Sequence, residues 1–71
     1  MDIAKAIQAR LDSDERSKMW LVRRSQVGKT AFYEFMQGNS DMMIYNLELV
    51  AKGFGIKLST LIKEAENESN T

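Results

Sequence analysis

Ser17-Lys-Met-Trp-Leu-Val-Arg-Arg-Ser-Gln-Val-Gly-Lys-Thr-Ala-Phe-Tyr-Glu-Phe-Met-Gln-Gly38 decides the reading of this chain. It predicts two short helices joined by a tight turn near residues 26–28. In the second helix each residue advances about 100° around the axis. Ala31, Phe32, Phe35 and Met36 then share one side, and Lys29, Thr30, Tyr33, Glu34 and Gln37 the other. One side needs a core; the other presents donors, acceptors and an aromatic edge.

Outward from this stretch, the composition sets limits. The chain has 71 residues, so it holds one domain, and it has no proline and only four glycines, which favours helices over sheet. A domain this small buries only about 60% of its unfolded surface, so each apolar residue counts. Cysteine and histidine are absent, which excludes a disulfide framework and makes a transition-metal site unexpected. No apolar run approaches the roughly 20 residues of a membrane span. No basic stretch followed by an apolar run marks the N-terminus as a signal peptide. A soluble cytoplasmic protein without metal or cofactor is the expectation.

Ten basic and ten acidic residues cancel, but they are not mixed. Arg16, Lys18, Arg23, Arg24 and Lys29 follow one another with no acid between them, while acids gather at Asp12–Glu15 and at Glu64, Glu66 and Glu68. A neutral total therefore covers a polarised molecule.

The remaining helices follow from period and caps. Asp2 caps a first helix to about Leu11, with Ile3, Ala6, Ile7 and Leu11 on its buried stripe. The polar run Asp12–Arg16 is the connection. Ser17 caps the second helix, whose Leu21, Val22 and Ser25 face inward, and Trp20, at the edge of that face, is expected over helix one. Gly28 opens the third helix and Gly38 ends it in a left-handed conformation. Ile44, Leu47, Val50, Ala51 and Phe54 describe a fourth helix closed by Gly53–Gly55. Ser59 caps a fifth through about Glu66, with Leu61, Ile62 and Ala65 for packing. Residues 1–66 thus form the domain, and 67–71 a polar, frayed tail.

From Ile7 to about Leu61 the chain resembles the helix-turn-helix domains of phage Cro and repressor proteins and their bacterial relatives. Leu21-Val22, Val27, Phe32, Phe35 and Gly38 carry the likeness, and Leu47-Glu-Leu-Val-Ala-Lys-Gly-Phe-Gly-Ile-Lys-Leu-Ser-Thr-Leu61 is similar to the family's fourth helix and the start of its fifth. The resemblance implies an all-α, five-helix, lambda-repressor-like fold with the motif at helices two and three. It implies a transcriptional regulator that binds a pseudo-palindromic operator as a homodimer. The chain departs from the family at four places. Gln26 stands where relatives carry glycine and must adopt a left-handed backbone. Val22 replaces an alanine. Leu11 and Met36 replace an Arg–Glu ion pair. Asn39, Ser40 and Asp41 follow the recognition helix where relatives place basic residues.

On this reading Gly28, Lys29, Thr30, Tyr33 and Glu34 meet base edges in the major groove. Lys29 suits guanine O6/N7 or a phosphate, Thr30 a base edge or a thymine methyl, and Glu34 cytosine N4. Ser17, Lys18, Arg23, Arg24, Asn39 and Ser40 hold the DNA backbone, with the amides at the start of helix two also suited to phosphate. Met42, Met43, Tyr45 and Ile62 suggest a homodimer surface near helices four and five. Carboxylates such as Asp12, Asp14 and Glu15 lie in a polar link and make no catalytic pair, so no enzyme is expected. The second reading is a protein-interaction module on the same fold, an antitoxin or antirepressor.

Overall fold

The computed structural model describes residues 2–69, and over these it is all-α. Five helices follow in order: α1 (Ile3–Ser13), α2 (Lys18–Ser25), α3 (Lys29–Met36), α4 (Ile44–Gly53) and α5 (Leu58–Ser69). Two of the expected caps are in place. Asp2 Oδ1 accepts the Lys5 amide at 2.9 Å, and Ser17 Oγ accepts the Trp20 amide at 3.1 Å, each satisfying an amide that the first turn leaves orphaned.

The chain reverses after α1, α3 and α4 in one way. A residue with positive φ follows the helix, and paired amides return to the last carbonyls. After α3 that residue is Gly38, at φ 80°, with Asn39 N–H bonded to Glu34 C=O at 2.9 Å and Gly38 N–H to Phe35 C=O at 3.0 Å. After α1 it is Glu15, at φ 55°, with Arg16 N–H bonded to Leu11 C=O at 2.9 Å. Glu15 has no side-chain licence for that conformation. The bonds of the motif hold it there.

α1 packs along α5 and α2 along α4; α4 also touches α5, and α3 rests on α1. The core fills the space between these pairs. Phe32, Ile7, Leu11, Leu21, Leu61 and Val50 are its largest fully enclosed side chains. The α2–α4 contact is close because Gly53 has no side chain. A Cβ there would lie 2.8 Å from Ser25 Cβ.

A second device joins the two helix pairs across the surface. Arg10 makes a two-pronged ion pair with Glu64 at 3.0 and 2.9 Å, tying α1 to α5. Its guanidinium also lies 5.5 Å from the centre of the Phe54 ring, just past α4. Phe54 meets Trp20 of α2 at 6.3 Å, the rings tilted by 45°. Arg16 and Arg24 then lie over the indole at 4.9 and 5.6 Å. Each cation–ring contact at a partly exposed site is worth about 0.5–1 kcal/mol.

Several expectations change. Trp20 meets the Phe54 ring, a partner its place in the sequence did not announce. Ser59 lies inside the first turn of α5, where the Lys57 carbonyl accepts from Thr60 N–H at 3.0 Å, so the helix starts two residues earlier than a Ser59 cap requires. α5 continues to Ser69, past the boundary placed at Glu66; Asn70 and Thr71 lie outside the described residues. Ile44 is 67% exposed, because the first turn of α4 projects beyond the core. Leu11 is fully buried and Met36 half-buried against the core. The chain places an Arg–Glu pair elsewhere, at Arg10 and Glu64.

Candidate nucleic-acid interface

The turn between α2 and α3 starts from Gln26, at φ 61° and ψ 20°. This is the left-handed region that glycine enters freely and other L-residues enter at a cost. Its amide bonds back to Val22 C=O at 3.0 Å, which closes α2. Ser25 is buried at the same corner, its hydroxyl oxygen accepting Val27 N–H at 3.3 Å. Val27 is 4% exposed and fixes the turn to the core. The turn is thus held at both sides of a strained residue.

α3 begins at Gly28, which has no side chain to cap it. Amides of its first turn therefore remain unclaimed by a cap, at the end where the helix dipole is positive. Gly28, Lys29, Thr30 and Glu34 are all exposed around that end, while Phe32, fully buried, anchors the helix from behind. The expected two faces are only partly right. Ala31 belongs to the exposed side, not the core. Tyr33 is half-buried, its ring meeting Phe32 edge-on at 5.8 Å, so it supports the helix more than it projects from it. Sequence reasoning missed Ala31 as a surface residue because it sorted small apolar residues inward by default.

The backbone-holding set divides. Ser17 and Arg23 are exposed and Lys18 is half-buried at the start of α2. Arg24 is drawn the other way. Its Nε donates to the Gly53 carbonyl at 2.7 Å and its guanidinium lies over Trp20, so it is committed toward α4. Asn39 is exposed, with its side-chain amide donating to Gln37 Oε1 at 3.2 Å. Ser40 lines a 290 Å³ hollow together with Asp2 and Asp41, where two carboxylates oppose a phosphate. Among the described residues the one ion pair is Arg10–Glu64, so Lys18, Arg23 and Lys29 are not neutralised by a carboxylate.

The hydrogen bonds that the Arg10 guanidinium donates to Glu64 raise its pKa, outweighing the opposite effect of burial. Among the described residues no group of acids could hold a metal ion, and no helix is long and apolar enough to cross a membrane. Comparison with family models, with characterised proteins and with solved structures returns no match to this chain.

Proposed function

We propose that this chain is a sequence-specific DNA-binding transcriptional regulator, a repressor of the Cro kind that acts by occupying its operator. The observation that carries the reading is the start of α3. An uncapped helix end surrounded by Gly28, Lys29 and Thr30 is held rigidly by Phe32 behind it and by Val27 before it. An eight-residue helix presented this way fits the major groove, with its N-terminal residues toward base edges. Lys29 and Thr30 read bases; Lys18 and Arg23 hold phosphate. Arg24 is left out of the set, since its bond to the Gly53 carbonyl and its place over Trp20 turn it toward α4.

Two copies bind a pseudo-palindrome, their α3 helices about one duplex turn apart. The exposed Met43, Ile44 and Tyr45 at the start of α4 support self-association, since three adjacent apolar side chains on the surface gain by burial. The acids around Ser40 support the second reading, an interaction module of the antitoxin or antirepressor kind, because they weaken the grip on DNA after α3.

The test separates the roles. Lys29→Ala and Thr30→Ala are expected to cost about 1–3 kcal/mol on the operator and much less on random duplex. Lys18→Ala is expected to weaken both alike and to lower the salt slope by about one. Equal losses for all three variants on both duplexes would refute the assignment.

A further inference from the structure

Trp20 stands between two surface hollows. One, of 460 Å³, is lined by Asp14, Arg16, Trp20, Arg24 and Phe54. The other, of 380 Å³, is lined by Ser17, Met19, Trp20, Arg23 and Arg24. No residue of α3 lines either; Arg23, a phosphate holder on the DNA reading, borders the second hollow, whereas the first hollow shares no residue with the DNA-contacting set. Arg16, Arg23 and Arg24 border it, and none has a carboxylate partner among the described residues. Arg24 is also pre-positioned, since its Nε–H is anchored on Gly53 C=O at 2.7 Å while its other N–H groups remain for a partner.

We propose that this flank of α2 is a docking surface for an acidic protein segment, whose carboxylates meet Arg16 and Arg24 while an apolar side chain enters the hollow that Trp20 and Phe54 help to line. The chemistry selects this partner over a nucleic-acid backbone. Arginines and a tryptophan on one surface are the residue types that dominate protein interfaces. Carboxylates match the planar guanidinium fork. Trp20 and Phe54 line the hollow beside the arginines, and a phosphodiester chain has no apolar group to place against them. Asp14 at the rim disfavours a purely anionic ligand and tolerates an amphipathic one.

Trp20 is the only tryptophan, so its fluorescence reports on this surface alone. The probe is a short synthetic peptide with glutamates around a central Leu-Phe pair. Saturable change in Trp20 emission is expected, weakened about tenfold by Arg16→Glu and less by Arg16→Lys, which keeps the charge but not the planar fork. Replacing the Leu-Phe pair with serines is expected to weaken binding as well. The proposal is overturned if the peptide leaves Trp20 unchanged, if the serine peptide binds equally, or if random-sequence duplex reproduces the effect with the same Arg16 dependence. Operator affinity is measured separately on Arg16→Glu and is expected to stay within about twofold, so this proposal and the DNA reading fail independently.

Discussion

Replacing Gly53 by alanine sets two effects of opposite sign against each other. Gly53 is the last residue of α4, and alanine there gains up to about 1 kcal/mol of helix propensity. Its Cβ, however, would sit 2.8 Å from Ser25 Cβ, 3.1 Å from Leu21 Cδ1 and 3.2 Å from Ser25 Cα. Two of these atoms are fixed to the backbone of α2 and cannot swing away, so the helices must part. Overpacking of this kind costs about 1–3 kcal/mol. Parting also stretches the 2.7 Å bond from Arg24 to the Gly53 carbonyl, a charged hydrogen bond worth about 1.5 kcal/mol or more. The clash wins, with a net loss of about 1–3 kcal/mol. For a domain of this size each kcal/mol moves Tm by about 4–8 °C, so a fall of about 5–20 °C is expected. Thermal unfolding followed by far-ultraviolet circular dichroism measures it. Gly28→Ala is the control, since its Cβ would meet nothing nearer than Ala31 Cβ at 3.9 Å. If Gly53→Ala melts at or above the wild-type temperature, the close approach of α2 and α4 is wrong.

Two further substitutions test the strained turn and the surface ion pair. Gln26→Gly removes the left-handed penalty and is expected to raise stability by about 0.5–1 kcal/mol, after the added freedom of the unfolded chain is subtracted; a fall in denaturant midpoint would contradict it. Glu64→Gln breaks the Arg10 pair, whose side chains are 26% and 34% exposed, and is expected to cost about 0.5–1 kcal/mol, less at high salt. Because the folded state raises the pKa of Arg10, the stability linked to that group is complete below arginine's ordinary range and falls only as pH rises past it. Its contribution is therefore flat around neutrality, and a Glu64→Gln deficit that varied there would have to arise from another group.

Local signals made most of this fold legible. Asp2 and Ser17 are helix caps by chemistry, and each sits three residues before the amide it accepts. Leu21, Val22 and Ser25 lie on one side of any helix through them, and all three are buried. The left-handed backbone at Gln26 followed from its place in the resemblance. Contacts between distant segments left no such mark. Arg10 and Glu64 are 54 residues apart, and neither has a local reason to find the other. Glu15 enters the left-handed region without the glycine or asparagine that would announce it. The site was read less fully than the fold. A short helix such as α3, resting on α1 and anchored by one buried side chain, does not obey a symmetric helical wheel, so Ala31 and Tyr33 exchanged places. Trp20 and Arg24 were readable in principle, because residues four apart share one face of a helix, whereas Arg16 precedes α2 and has no such period. The spacing of Trp20 and Arg24 was masked by treating the arginines only as charge.

DNA reading by the start of α3 is tested most directly by fluorescence anisotropy. The intact chain is titrated into a labelled duplex from the region upstream of its own coding sequence and into a shuffled duplex of equal composition. Binding to the upstream duplex is expected to be at least about 10³-fold tighter than to the shuffled one, and to weaken steeply as salt rises. A folded sample that binds neither duplex at low salt, or both with equal affinity, would contradict the account.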